Sequence, residues 1–561
     1  MNTKPWKDSV AQVFHPKLLT TIRTYTREQF IADLIAGIIV GVVALPLAIA
    51  FGIASGVSPE RGLITAVIAG FLISALGGSK VQIGGPTGAF IVIVYGIVEQ
   101  YGVDGLIIAT IMAGVILVIM GVLKLGTLIR FMPYPIVVGF TSGIAIVIFS
   151  SQMKDLFGLQ TTAAVPADFL DKWQFYFLHF DVVNWYALAL GVATVVIIAW
   201  WPKVNKRIPG TLIALLLTTL ATTFWEIPVE TIGSRFGAIS GGLPAPKLPQ
   251  ISFDTFRQLL APAFTIAILG AIESLLSAMV ADGATGGRHR SNTELIGQGI
   301  ANIITPFFGG IPATGAIART MTNIRNGGKT PVAGMIHAVV LLLIMLFFGR
   351  FARLIPMSTL AGILVVVAYN MSEWRSFKAL FNNSKSDVAV LLTTFLLTVL
   401  IDLTVAIQFG LLLAVLLFLK RVIETTDVAV LNMEVEAENK DLTDEGESLQ
   451  IPKGVEVFEV NGPFFFGIAN KFEEAEKLTR EKPKVRIIRL RRVPFIDSTG
   501  LSNLKAFIHR AERNGIQIIF SGAGPKLLAS LSKAGILQAL GEANNCSDIQ
   551  SALERAKEVL K

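Results

Sequence analysis

Long apolar runs separated by short polar breaks fill the chain from residue 31 to about 423, after which short apolar stretches lie among dense charges. About 17–25 apolar residues suffice for a helix to cross a ~30 Å hydrocarbon core. Such segments can be drawn at 31–56, 62–78, 85–100, 105–124, 132–152, 184–201 and 208–225, and again at 258–282, 293–308, 313–325, 331–350, 357–371, 386–403 and 405–423. The pattern predicts an α-helical polytopic membrane protein with fourteen transmembrane segments, seven in each half. An odd number of crossings inverts the second half relative to the first, the plan of inverted-repeat carriers. The repeats fall at about 31–225 and 258–425, within a membrane region of 31–425 that follows an N-terminal segment of residues 1–30.

Some segments are interrupted. Those starting at 85, 293 and 313 are short or rich in Gly and Pro, and the third and tenth are read as half-helices. Each of these two opens on the same phrase, Gly84-Gly85-Pro86-Thr87-Gly88-Ala89 in one half and Gly309-Gly310-Ile311-Pro312-Ala313-Thr314-Gly315-Ala316 in the other. Matching interruptions in two halves point to a carrier's substrate site. If each phrase begins a half-helix, unpaired N–H groups and positive dipole ends converge on one point and favour an anion. Thr87, Gly88, Ala89, Thr314, Gly315 and Ala316 are therefore candidate substrate contacts, with the two threonines placed to cap the half-helices or to bond substrate. Close helix packing accounts for any single glycine as well, but accounts less well for the pairing. In the first segment Pro46 removes a helical hydrogen bond and can break the span, and Phe51 beyond it is a candidate for lining the cavity.

Composition narrows the class. With 53% hydrophobic and 16% charged residues, the chain departs from soluble globules, which run near ~45–50% apolar and ~25% charged. The first thirty residues are polar and carry no cleavable-signal pattern. The net charge of +8 does not indicate nucleic acid, because the basic residues are scattered at segment ends instead of gathered on one face. Lys203, Lys206 and Arg207, then Arg288 and Arg290, then Arg375, Lys378 and Lys385 fall in loops on one side, which is expected to be cytoplasmic together with both termini. The loop at 153–183 on the other side carries Asp155, Asp168, Asp171 and Asp181, while Arg350 and Arg353 run against the bias. The lone Cys546 excludes an internal disulfide, and no metal or cofactor pattern is present.

Two charged residues lie inside apolar segments. Glu273, in Gly270-Ala271-Ile272-Glu273-Ser274-Leu275-Leu276, has apolar neighbours on both sides, and an ionised side chain at mid-bilayer costs ~2.5–3.5 kcal/mol on insertion scales. Such a residue marks a pathway or, alternatively, bonds a neighbouring helix. Ser277 lies one turn further on the same face, and the pair could hold a proton or a cation. Arg319 falls in the tenth segment beside Ala318; its guanidinium fork suits an oxyanion, the alternative being an ion pair with Glu273 or a snorkelled position. Asp402 is read as interfacial.

The tail reads as an α/β domain, with strands at 455–460, 485–490 and 516–521 and helices at 471–479 and 501–514. Residues 426–450, acidic at 434–448, are read as a linker, and 451–561 as the domain.

These motifs resemble the SulP family, the sulfate-permease group of anion transporters. The resemblance rests on Asp33-Leu34-Ile35-Ala36-Gly37 running into Leu45-Pro46-Leu47-Ala48, on Gly85-Pro86-Thr87, on 270–276, on Asn292-Thr293-Glu294-Leu295-Ile296-Gly297-Gln298-Gly299, and on Gly327-Gly328-Lys329-Thr330. The tail is similar to a STAS domain through Phe495-Ile496-Asp497-Ser498-Thr499-Gly500-Leu501. The resemblance implies a uracil-permease-like seven-plus-seven fold, a substrate site including Arg319 and the position of Leu47, where several animal members carry glutamine, and coupling through Glu273. It also implies a cytoplasmic STAS domain associated with homodimer packing and regulation. Ser498 matches a phosphorylation site of stand-alone members, against the simpler reading that Asp497 and Ser498 cap a helix.

The function expected is secondary active transport of an oxyanion across the cell membrane, coupled to protons, with sulfate or a dicarboxylate such as fumarate or succinate as cargo. Sodium-coupled bicarbonate uptake, a passive anion channel and a membrane sensor are the alternatives. An enzyme is not expected, since no nucleophile–base pair, P-loop or metal cluster is found.

Overall fold

The computed structural model describes residues 14–127, 132–161, 165–166, 168–205, 208–237, 242–246, 253–401, 403–431, 434–436, 448–465, 471–472 and 482–561. Lys206, Arg207, Asp402 and most of the acidic stretch at 434–448 lie outside these residues, as does most of the helix expected at 471–479.

Helices follow the expected segments. α1 (Arg27–Ala54) starts on a capping box, in which the Thr26 hydroxyl accepts from the Gln29 N–H and the Gln29 side chain accepts from that of Thr26. It runs unbroken through Pro46; neighbouring helices and local adjustments let membrane helices tolerate a proline. α2 (Pro59–Leu76) leads to a two-residue strand, β1 (Gly84–Gly85), a tight turn at Gly88–Phe90, and α3 (Ile91–Val122). Gly102, at φ +69°, interrupts α3 and divides the third expected segment from the fourth. The first half ends with α4 (Tyr134–Leu156), α5 (Trp185–Val204) and α6 (Gly210–Phe224).

The second half repeats the order: α7 (Phe253–Thr285), α8 (Ser291–Ile304), β2 (Thr314–Gly315), α9 (Ile317–Arg325), α10 (Pro331–Ala352), α11 (Met357–Met371), α12 (Lys385–Leu400) and α13 (Leu403–Thr425). Among the described residues, eight helices are long and apolar enough to cross a membrane. α1, α2, α3 and α7 to α10 pack mainly on one another, and α4 to α6, α11 and α12 form a second group. Close approach within the first group depends on glycine. A Cβ at Gly114 of α3 would lie 2.7 Å from the Gly299 carbonyl oxygen of α8, and one at Gly299 would lie 2.6 Å from that of Gly114.

Chain contacts divide into two units, 1–414 and 415–561. The second holds a five-stranded sheet in the order β3 (Asp427–Leu431), β6 (Val455–Asn461), β7 (Val485–Arg492), β8 (Gln517–Ser521), β9 (Asn545–Cys546). β6 through β9 are parallel, and β3 pairs antiparallel with β6. Parallel sheets need cover on both faces. Phe458, Ile488 and Phe520 pack on one side with Phe507 of α14 (Ser498–Arg513), whereas Val457, Ile487 and Ile519 meet Ile549 and Leu553 of α17 (Ile549–Leu560) on the other. Between α14 and α17 lie α15 (Pro525–Lys533) and α16 (Ile536–Leu540). The expected linker at 426–450 is thus corrected: its first residues are the edge strand β3, and β4 (Glu434–Glu436) pairs with β5 (Ser448–Gln450). Its apolar positions were masked by the charges that follow.

Candidate functional site

The two copies of the repeated phrase pair with each other. β1 and β2 run antiparallel, with Gly84 opposite Gly315 and Gly85 opposite Thr314. Extended backbone at membrane depth must find partners inside the protein, and buried polar side chains supply them. The Asn302 amide donates to the Ala313 carbonyl and accepts the Ala313 N–H, both at 2.8 Å. The Thr65 hydroxyl accepts from Ile311 N–H at 2.7 Å, and Asn323 donates to the Val81 carbonyl at 2.8 Å. On α7, Ser274 Oγ lies 2.6 Å from Thr314 Oγ1 and accepts from Gly315 N–H. These clips were missed in the sequence, although each is a polar residue in an apolar segment, the signal that singled out Glu273.

The same bonding revises the expected roles around the second phrase. The Gly315 N–H is engaged by Ser274, and the Ala316 N–H donates to the Ile83 carbonyl at 2.8 Å. The open donors of this half-helix are instead at its first turn, Ile317 and Ala318, both exposed. Thr314 caps no helix; its hydroxyl donates to the Gly270 carbonyl at 3.1 Å. Thr87 precedes the turn at Gly88–Phe90 without a capping bond. Its hydroxyl lies beside the Glu273 carboxylate, out of hydrogen-bond geometry and without another partner among the described residues. Gly88 and Ala89 follow at the first positions of that turn, where N–H groups have no intrahelical acceptor.

Arg319 links the halves. It projects from the first turn of α9, is 2% exposed, and donates through Nη2 to the Pro86 carbonyl of the first phrase. Its Nη1 has no hydrogen-bond partner among the described residues. Gly85, at φ +151°, lies so close to Nη1 that a Cβ would collide with it. The guanidinium carbon stands 6.0 Å from the centre of the Phe51 ring. Among the described residues Arg319 makes no ion pair, with Glu273 or any other acid.

Ser277 does not complete a pair with Glu273. It is fully buried, and its hydroxyl lies 3.3 Å from that of Thr320, which accepts from Ile83 N–H at 3.0 Å. Gly88 faces the second helix group: an added Cβ would lie 2.9 Å from Met371 Sδ, 3.3 Å from Ile148 Cδ1 and 3.6 Å from Phe51 Cε1. Leu47 is half-buried against the core near Phe51. A cavity of about 590 Å³ lies between the two groups, lined by Ala50 and Ile91 next to the site and by Glu99, Lys172 and Arg235 away from it. In the tail Asp497 caps α14, accepting from Gly500 N–H at 2.6 Å, and Ser498 is the exposed first residue of that helix.

The motif at Asp33 and the one at 327–330 meet: Asp33 accepts from Lys329 N–H at 2.7 Å and from the N–H and hydroxyl of Thr330. Glu294 does the same for the turn before β1, accepting from Gly78 N–H at 2.7 Å and Ser79 N–H at 3.1 Å. Glu294 thus holds the segment that leads into β1, and Asp33 holds the turn between α9 and α10.

Paired half-helices around a buried, half-satisfied arginine, carried on a multi-pass helical scaffold, define a membrane transporter of anions. The chain belongs to the sulfate permease family, whose model matches residues 30–394; a STAS domain matches 448–552. Among relatives, it is 42% identical to YvdB of Bacillus subtilis, a candidate sulfate transporter by its name, over 87% of this chain and 90% of that one. It is 32% identical to the bicarbonate transporter BicA of Synechocystis, over 88% of each chain. The transmembrane domain of a cyanobacterial BicA superposes with a TM-score of 0.62 at 33% identity, covering 70% of this chain and 98% of that one. The fold also matches murine Slc26a9 in its inward-facing state, with a TM-score of 0.87 at 18% identity and coverage of 99% and 96%.

Proposed function

We propose that the protein is a secondary active transporter that carries an oxyanion with a proton across the cell membrane by alternating access. The observation that carries this reading is the buried Arg319, with Nη2 bonded to the Pro86 carbonyl just after β1 and Nη1 unpartnered among the described residues. A desolvated cation with a free donor calls for an anion, and the N–H groups of Gly88, Ala89, Ile317 and Ala318 add helix-end donors around it. Thr87, Phe51 and Leu47 border the same space. Glu273 takes the proton that offsets the charge of the cargo. In this reading α1 to α3 with α7 to α10 carry the site past the other helices, both termini and the STAS domain are cytoplasmic, and the protein works as a homodimer in the lipid bilayer.

The cargo proposed is sulfate or a dicarboxylate such as succinate or fumarate; the name of YvdB supports sulfate. Sodium-coupled bicarbonate uptake is the second reading, favoured by the likeness to BicA. Proteoliposomes loaded with a panel of these anions, with pH and sodium gradients imposed separately, test both. Accumulation driven by an inward proton gradient without sodium supports the first, and accumulation that needs sodium at fixed pH supports the second. Glu273→Gln is expected to abolish proton-driven accumulation while retaining part of the binding; undiminished accumulation by this variant would remove Glu273 from the coupling step.

A further inference from the structure

The chain passes between the two helix groups after α3, after α6 and after α10. The last two crossings are laced together. Glu230–Gly233, beyond α6, runs antiparallel to Arg353–Met357, the turn from α10 into α11, with Thr231 opposite Pro356. Ile232 N–H donates to the Ile355 carbonyl at 2.9 Å, Gly233 N–H to that of Arg353 at 2.8 Å, and Met357 N–H to that of Glu230 at 2.9 Å. This approach needs a glycine, since a Cβ at Gly233 would lie 2.9 Å from the Arg353 carbonyl oxygen. Ile232 is fully buried in the main hydrophobic core.

A side chain then fastens the laced pair to a helix. Arg235 lies in the short helix Ile232–Phe236, whose start is closed by a capping box of Thr231 and Ser234. Its Nε and Nη2 donate to the two Glu230 carboxylate oxygens at 2.7 and 2.5 Å, and Nη2 donates to Asp155 at the end of α4 at 2.7 Å. The Arg235 and Asp155 side chains are 25% and 16% exposed. Isolated surface ion pairs contribute little, but a forked arginine shared by two carboxylates forms a network that holds its geometry. Asp155 and Met357 both belong to the second helix group, so the pair is fixed to that group from two directions. The crossing after α3 is held the other way: Gly126 N–H donates at 3.1 Å to Asn292 of α8, in the first group.

We propose that the two laced crossings move as one strap with the second helix group, and that Arg235 is the residue that positions this strap for transport. This rests on the alternating-access reading above. When the first group carries the site past the second, its movement is taken up outside the strap, whose three backbone bonds and ion triad stay closed through the cycle. Arg235 and Asp155 also line the cavity of about 590 Å³ between the groups, so the strap limits how far the groups part at that end. A slack strap lets the first group drift from the path along which it seals against the second. Turnover then falls, while the anion contacts at Arg319, on other elements, keep their geometry.

The test uses purified full-length protein with sulfate and succinate as probes. Hydrogen exchange is read at the amides of Ile232, Gly233 and Met357 with and without saturating anion, and initial uptake in proteoliposomes is set beside affinity in detergent. In the wild type the three amides are expected to stay protected in both conditions. Arg235→Gln and Asp155→Asn are each expected to expose them and to slow uptake about fivefold or more, with affinity unchanged within about twofold. The double variant should be no slower than Arg235→Gln alone, because both changes break one interaction, and Asp155→Glu, which keeps the carboxylate, should restore most of the rate. Should Arg235→Gln fail to fold, Gly233→Ala strikes the strap through its backbone pairing and is expected to give the same split between rate and affinity. The proposal is overturned if the wild-type amides lose protection when anion binds, if the folded single variants transport at the wild-type rate, or if their losses add. Wild-type protein that accumulates neither anion against its gradient would sink the carrier reading itself, a separate result.

Discussion

In the proposed role, Arg319 can take an anion because, among the described residues, Nη2 bonds Pro86 while Nη1 has no partner. Removal of the side chain as Arg319→Ala should abolish saturable anion binding, and Arg319→Lys should weaken it roughly tenfold or more, because an ammonium cannot bond Pro86 and an oxyanion through a rigid fork. Binding isotherms for sulfate and succinate measure this; near-wild-type affinity in Arg319→Lys would show that charge alone suffices. Gly85→Ala tests the same contact from the backbone side, since its Cβ would push Nη1 from its place. At φ +151° an alanine is also strained, so the variant should bind poorly and lose stability, read by isotherm and melting temperature together.

Elements hold this geometry through seams that tolerate no added atom. At the α3–α8 crossing the Cβ of a Gly299→Ala variant would press on the Gly114 carbonyl and on Val118, and overpacking of this kind costs typically 1–3 kcal/mol. The melting temperature in detergent should fall by several degrees, and an unchanged melt would mean that the seam yields. In the tail, Asp548 caps α17, accepting from Ser551 N–H at 2.8 Å and from the Ser547 hydroxyl at 2.6 Å. Bonds from Ser547 and Ser551 hold its carboxyl below the usual range. A depressed carboxyl stabilises fully above its unfolded value and loses that contribution as pH falls through the folded one. Asp548→Ala should therefore destabilise the tail by about 1 kcal/mol near neutral pH, and the difference should shrink in acid below about pH 4, as read by thermal unfolding at each pH.

For the whole molecule the decisive behaviour is accumulation. A carrier in which one helix group moves past the other should concentrate anion against its gradient and stop when a protonophore collapses the pH difference. Flux that continues downhill at the same rate under protonophore would indicate a channel. Ser498, by contrast, stands at an exposed helix start, and a Ser498→Ala variant should be neutral for transport by the isolated protein.

Much of this was legible from one chain. Apolar runs determine helices because, closed barrels apart, no other structure satisfies the backbone in lipid, and the strand-and-helix tail follows from alternation; the repeated Gly phrase stood out because it recurs at matching positions in the two halves, and Glu273 and Arg319 because charged residues are rare at that depth. Pairing was not legible. That Gly84 lies opposite Gly315, that Ser277 bonds Thr320, that among the described residues the amides of Gly315 and Ala316 are occupied while those at Ile317 and Ala318 are not, and that β3 belongs to the sheet instead of a linker are all matters of which hydrogen-bond partner wins. Local sequence determines how many donors and acceptors a segment carries, whereas their partners lie tens to hundreds of residues away, as Arg319 and Pro86 do, and only the folded chain brings them within reach.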